Sequence, residues 1–166
     1  MLGTRPDFVG VEAAADLARL KDRVPPFSED DARAALIAEF GADEAARLFP
    51  KLGPAAAAAS IAQIHKVVLA DGSARAVKIL RPGVERAVAN GLESLRLAAN
   101  IADRFIPAAR RLEPRAFVAE VAGATLKEID LRIEAAAADE FREILAKDGH
   151  LFAPKVDWTR SGRRVA

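Results

Sequence analysis

The sequence predicts an α+β fold, with helices first, then a β-hairpin, two long helices and a second hairpin. Three observations carry that expectation. Apolar residues recur at helical spacing along several stretches; two β-branched, alternating runs flank an Asp71-Gly72 turn pair; and Pro25, Pro26, Pro50, Pro82 and Pro107 fall between these stretches.

Phe8 to Leu20 reads as a weakly amphipathic helix, with Val11, Ala14, Leu17 and Leu20 at helical spacing. Val24-Pro25-Pro26-Phe27 ends it, because neither proline fits a helix interior. Ser28 is placed to cap the next helix, and Glu29, Asp30 and Asp31 suit the positive end of its dipole. Ala32, Leu36, Ile37 and Phe40 are its apolar positions and Gly41 its stop. A short helix, Ala42–Leu48, ends before Pro50. Ile64–Leu69 and Ala74–Leu80 are the strands of the clearest hairpin, which Arg81-Pro82-Gly83 ends. Val84, Val88, Leu92, Leu95, Ala99, Ala102 and Phe105 then form the stripe of a helix closed by Pro107. Pro114 suits a first helical turn, and Phe117, Val121, Thr125 or Leu126, Ile129, Ile133, Ala137, Phe141 and Ile144 keep helical spacing to about Leu145, with Gly123 as a candidate bend. Leu151–Trp158 and Arg163–Val165, on either side of Thr159-Arg160-Ser161-Gly162, read as a second hairpin. Gly91 and Gly123 suggest close helix contacts, and Trp158 a packing residue at the sheet edge.

Composition excludes several function classes. Lys and Arg total 25 against 24 Asp and Glu, a balance that does not supply the positive excess of a general nucleic-acid binder. With no cysteine there is no disulfide framework, thiolate nucleophile or cysteine-ligated zinc. The two histidines, His65 and His150, are too few and too separated for a histidine-rich metal site. The 51% hydrophobic content overstates the core, because roughly a quarter of the chain is alanine, far above ordinary usage. Alanine favours helix but buries little area, so the core rests on Leu, Ile, Val and eight Phe. No apolar run approaches the ~20 residues of a membrane span, and the first residues lack a signal-peptide layout, so the chain is expected to be soluble or peripheral.

Three features then fall in an informative order. Ala57-Ala58-Ala59-Ser60 is a small-residue loop ahead of a strand expected to begin near Ile61; Ala76-Val77-Lys78 lies in the next strand; Glu134 lies on a later helix. Singly, each has an ordinary reading: a helix-prone run, a solvated strand lysine, an exposed helix charge. Their order is that of protein kinases, where a glycine-rich loop covers the phosphates and a strand lysine held by a helix glutamate contacts them. Phosphates carry several negative charges, so a fixed ammonium must reach them and a carboxylate must orient it. His65 reads as a core or edge histidine making one hydrogen bond. Gln63 either orients loop backbone or faces solvent, and Arg110-Arg111 and Arg163-Arg164 read as solvated pairs.

Longer motifs sharpen this. Ala57-Ala58-Ala59-Ser60-Ile61-Ala62-Gln63-Ile64-His65 resembles the A-A-A-S-I-A-Q-V-H signature of the UbiB/ADCK atypical kinase family, and Ala76-Val77-Lys78-Ile79-Leu80-Arg81-Pro82-Gly83-Val84 resembles its A-V-K-V-x-R-P-G-I segment. Glu128-Ile129-Asp130 is similar to its E-x-D motif and Arg132-Ile133-Glu134-Ala135-Ala136 to its R-x-E-A-A motif. Leu20 to Phe27 and Thr4 to Asp7 resemble its N-terminal extension, so the likeness covers essentially the whole chain.

The resemblance implies a protein-kinase-like N-lobe with an antiparallel sheet, a helical N-terminal extension over residues 1–53, and a lobe with inserted long helices over 54–166 that stops before the hinge, the C-lobe being absent. It implies that Ala57, Ala58, Ala59 and Ser60 cover nucleotide, that Lys78 meets its phosphates and that Glu134 is the lysine's partner. Glu128 and Asp130 are expected to face the family's K-x-G-Q motif, which would lie just before Met1. The implied cofactor of the intact family member is ATP or ADP with Mg2+, and the implied activity is that of an ATPase linked to ubiquinone biosynthesis. Its implied place is the bacterial cytoplasm, peripheral to the inner membrane. Expected partners are adenine nucleotide, the missing C-lobe, and ubiquinone-biosynthesis proteins or membrane lipid, with no nucleic acid. The chain carries no catalytic-loop aspartate, metal-binding asparagine or D-F-G aspartate, so no metal ligands are assigned and no turnover is expected of it alone. The alternative is a non-enzymatic helical module that binds a partner protein or a membrane surface through an alanine-rich amphipathic face.

Overall fold

The computed structural model describes residues 25–148 and 151–166, and the described chain divides into two compact units, one ending at Arg81 and the other beginning at Pro82. The helix expected over Phe8–Leu20, the Thr4–Asp7 motif and His150 lie outside the described residues.

The first unit opens with helices α1 (Glu29–Phe40) and α2 (Ala42–Leu48). The Ser28 hydroxyl accepts the Asp31 N–H at 3.1 Å, which satisfies one of the helix's unpaired first-turn donors. Gly41, at φ 84°, ends α1 where a side chain would be strained, and its N–H closes on the Ile37 carbonyl at 2.8 Å. Strands β1 (Lys51–Ala58), β2 (Ala62–Val68) and β3 (Ala74–Leu80) form an antiparallel sheet in that order. At the β2–β3 turn, the Asp71 carboxylate accepts both the N–H and the hydroxyl of Ser73, at 2.8 and 2.7 Å, while Gly72 takes φ 82°.

Of the expected loop Ala57–Ser60, Ala57 and Ala58 are instead the end of strand β1, and only Ala59 and Ser60 lie outside it. Alanine has little strand preference, so the run carries no signal of its own; the ladder with β2 imposes the extended form. Pro54 is tolerated because β1 is an edge strand. Gly53 lies at a close approach: a Cβ there would be 3.1 Å from the Lys66 carbonyl oxygen, a tight contact that the ladder would have to relax by a few tenths of an ångström to accept. Leu36, Leu48, Phe49, Leu52, Val67, Val77 and Ile79 form the core of this unit.

The second unit carries α3 (Val84–Phe105), a 3-10 turn (Pro107–Leu112), α4 (Pro114–Glu128), α5 (Leu131–Asp148) and a short 3-10 turn (Trp158–Arg160). Arg110 donates to the Asp103 and Arg104 carbonyls at 2.8 and 3.2 Å, so it caps the end of α3. The single helix expected from Pro114 to Leu145 is two helices, and the break falls at Ile129–Asp130 and not at Gly123. The Asp130 carboxylate accepts the Arg132 N–H at 3.1 Å, a donor that a continuous helix would direct to the Glu128 carbonyl. A Cβ at Gly91 or Gly123 would meet nothing within 4 Å among the described residues, so neither glycine marks a close helix contact among them.

The second hairpin does not form. Residues 151–157 are irregular and Val165 makes only a single bridge. Asp157 turns the chain instead, accepting the Thr159 N–H at 3.2 Å and its hydroxyl at 2.6 Å. Trp158 therefore sits on a turn, 48% exposed, with its indole N–H donated to Asp139 at 3.2 Å. Arg163 and Arg164 are not free solvated charges, since both pair with Glu85, at 3.5 and 2.6 Å.

Ile79 is fully buried, so Ile79→Ala is expected to lower the unfolding free energy by ~2–5 kcal/mol in urea titrations. Leu97 is 61% exposed, and Leu97→Ala is expected to change it by no more than about 0.5 kcal/mol in the same assay.

Candidate functional site

The register of the sheet sorts the motif residues onto two faces. Ala57 pairs with Ile64, and Ile64 with Lys78, so these three residues form one row on the same face. Ala76, two residues from Lys78, adds a second small side chain to that face. Lys78 is half-buried, while Ile64, Lys66 and Ala76 are exposed. The face thus carries the small side chains of Ala57 and Ala76 beside Ile64 and two strand-borne ammonium groups, an exposed one on Lys66 and the half-buried one on Lys78.

Ala57 and Ala58 close β1, and Ala59 and Ser60 belong to the turn into β2. That turn is fixed at both ends. The Ala59 N–H donates to the Ala62 carbonyl at 2.8 Å, and the Arg81 N–H donates to the Ile61 carbonyl at 2.8 Å. Ala57 thus shares a face of the ribbon with Lys78, Ala58 pairs with Gln63 on the other face, and Ala59 and Ser60 form the turn between β1 and β2.

The opposite face of β2 carries Gln63, His65 and Val67, all buried. Gln63 meets both backbone groups of Phe27: Oε1 accepts the Phe27 N–H at 3.0 Å and Nε2 donates to the Phe27 carbonyl at 3.1 Å. Those two contacts set the orientation of the amide. Its other N–H points to His65 Nε2 at 2.7 Å, which must accept, so the ring proton resides on Nδ1 and is donated to the Gly53 carbonyl at 2.8 Å. His65 thus makes two hydrogen bonds where one is expected, and Gln63 does not face solvent. The register shift between Leu52 and Ala55 leaves the Gly53 carbonyl available for this bond. Each such bond contributes about 1 kcal/mol net, and leaving a buried partner unpaired costs about 1–3 kcal/mol, so the network is intolerant of partial loss. The signal in the sequence was polar residues two apart on a strand whose neighbours on that face are apolar.

In the second unit, Glu128 ends α4 and is exposed, Asp130 is half-buried at the head of α5, and Glu134 is exposed in the first turn of α5. Arg132 grips Asp130 with two parallel bonds, Nε to Oδ1 at 2.9 Å and Nη2 to Oδ2 at 2.6 Å. These bonds, with smaller help from the Arg132 N–H and charge, hold the Asp130 carboxyl below the usual carboxylate range. Among the described residues no group of three or more His, Asp or Glu side chains is arranged to hold a metal ion.

A three-stranded antiparallel sheet with a lysine at the middle of its third strand and a small-residue turn before its second defines an α+β domain of the kinase-like class. The ABC1 atypical kinase-like domain matches residues 19–166, and the chain belongs to that family. It is 33% identical over 166 residues to the probable protein kinase UbiB of Marinobacter nauticus and 34% identical over 170 residues to that of Xanthomonas euvesicatoria. Each alignment takes in 99% of this chain and 30% of the relative, so the chain spans about a third of the length of the curated relatives it matches. A similar solved structure is the Mycobacterium tuberculosis protein Rv3197, in complex with erythromycin, with a TM-score of 0.73 and 27% identity; it matches 96% of this chain and 39% of that one. Among the described residues no helix is long and apolar enough to cross a membrane.

The Asp130 geometry has a pH signature. A carboxyl whose folded pKa is depressed adds stability that is present above its unfolded pKa of about 3.9 and is lost as pH falls through the lower folded value. Asp130→Asn removes that contribution. Thermal melts are expected to show the variant destabilised at neutral pH and converging on the parent as the solution is acidified.

Proposed function

We propose that this chain supplies the nucleotide-facing part of a UbiB-type atypical kinase or ATPase, with Lys78 as the phosphate-binding cation and Glu134 as the carboxylate that orients it. The observation that supports this most is the row Ala57, Ile64, Lys78 on one face of the ribbon, in a chain of the ABC1 family. A half-buried ammonium on a rigid strand keeps its position when an anion arrives, so little reorganisation opposes the contact. The turn at Ala59 and Ser60, held by the Ala59 N–H on the Ala62 carbonyl, would cover the same anion. Alanine Cβ atoms restrict the approach that glycine allows, so phosphate contact is looser than under a glycine loop. Glu128 and Asp130 are assigned to contact with the N-terminal K-x-G-Q element of the family; the Arg132 grip keeps Asp130 ionised for that purpose.

For the whole protein, the relatives' name, probable protein kinase UbiB, supports a role in ubiquinone biosynthesis with adenine nucleotide and Mg2+ as cofactors; a place in the bacterial cytoplasm, peripheral to the inner membrane, is proposed from the family resemblance alone. The described residues do not offer a ligand set for Mg2+, so no step is assigned to a metal held by this chain. The proposed domain division is residues 1–53 as the N-terminal extension and 54–166 as the lobe. The chain alone is expected to bind nucleotide weakly and not to turn it over, since it carries no catalytic-loop or D-F-G aspartate.

Titration of the chain with a fluorescent adenine nucleotide tests the assignment. Lys78→Ala is expected to weaken binding by about tenfold or more, which corresponds to ~1.4 kcal/mol, whereas Lys78→Arg retains most of it. Equal affinity of the parent and Lys78→Ala would overturn the role of the lysine. ATP hydrolysis by the chain, abolished by Lys78→Ala, would overturn the expected absence of turnover.

A further inference from the structure

We propose that Gln63, His65 and Arg81 form a clasp for polypeptide backbone, which holds the Pro25–Phe27 segment and couples its position to the shape of the Ala59–Ile61 turn. The nucleotide side of this inference rests on the proposed function; the clasp itself does not. All three residues lie in the family-like motifs, yet Gln63 and His65 are on the face opposite Lys78 and Arg81 follows the end of β3.

Two arms make the clasp. In the first, the Gln63 amide pairs with the N–H and the carbonyl of the same residue, Phe27, at 3.0 and 3.1 Å. A primary amide used this way imitates a neighbouring strand and reads main chain, whatever the side chain. His65 locks the amide from behind and is itself anchored on the Gly53 carbonyl of β1. In the second arm, the Arg81 guanidinium lies 5.4 Å from the Phe27 ring centroid and donates Nη2–H to the Pro25 carbonyl at 3.0 Å, with a longer contact of 3.4 Å to the Ala59 carbonyl. The Arg81 main-chain N–H binds the Ile61 carbonyl. One residue therefore touches the incoming segment and both ends of the small-residue turn.

Arg81 Nε is buried and has no acceptor among the described residues. A side chain selected for stability alone would not bury an unsatisfied donor; one held for where its other nitrogens reach can. The proposal makes Gln63, His65 and Arg81 positioning residues. They act through Phe27 and Ala59, not on a substrate.

Amide hydrogen exchange, resolved by residue on the full chain without nucleotide, tests this. In the parent, the Phe27 amide is expected to be protected to the level of the β2–β3 ladder. Gln63→Leu is expected to speed exchange at Phe27 and at Ala59 together by at least about tenfold, with the ladder unchanged. Phe27→Ala is expected to leave protection at position 27 within about threefold of the parent, because the clasp reads backbone. Arg81→Lys is expected to loosen Ala59 more than Phe27. An unprotected Phe27 amide in the parent overturns the proposal even if Gln63→Leu fails to fold. So does an Ala59 amide that ignores Gln63→Leu, or a Phe27→Ala variant as loose as Gln63→Leu. Failure of the parent to bind nucleotide bears on the proposed function alone.

Discussion

A glutamine on the buried face of a strand can serve a neighbouring backbone and a histidine at once in only one orientation. Gln63 is in that position. Phe27 presents a donor and an acceptor to the amide, so the amide cannot turn over, and the remaining N–H obliges His65 to accept. The chain of obligations then ends on a β1 carbonyl freed by the register shift at Gly53–Pro54. No polar atom of the two side chains is left over, which is why Gln63 and His65 can be about as buried as Ile79 and Val67 in the same sheet.

That arrangement divides β2 into two surfaces with different work. On one, hydrogen bonds and apolar side chains join the sheet to the segment that begins at Pro25 and to α1. On the other, Ala57, Ile64 and Lys78 form an open row. Because strand side chains alternate, the motif residues that brace the ribbon and those assigned to phosphate interleave along a few residues of sequence and still point apart. The alanines keep the second surface low. They also explain why a chain that is half hydrophobic builds its core from rather few large side chains.

Much of this was legible in the sequence, for physical reasons that differ by element. Ser28, Gly41, Asp71-Gly72 and Pro107 are local signals whose effect reaches no further than a turn, so α1, α2, the β2–β3 hairpin and the end of α3 follow directly. Strand β1 was not legible, because its last residues are alanines and only pairing with β2 makes them extended. The α4–α5 break was hidden because Ile129 and Ile133 keep the helical period across it, while the break is made by one carboxylate taking one N–H. The second hairpin does not form, because the Asp157 side chain turns the chain before a strand can pair, an effect that the flanking apolar residues do not reveal. The Lys78 row was legible from motif order. The Gln63–His65 network was half legible: the residue types and their spacing were plain, but their partner at Phe27 lies 36 residues away and no local pattern points to it.

The ring-nitrogen chemical shifts of His65 near neutral pH report the state of this hydrogen-bond network. The network requires a neutral imidazole with its proton on Nδ1 and a bare Nε2 accepting from Gln63. Shifts of that tautomer are the predicted result. A proton on Nε2 would set two donors face to face, and the account of how the ribbon is braced could not stand.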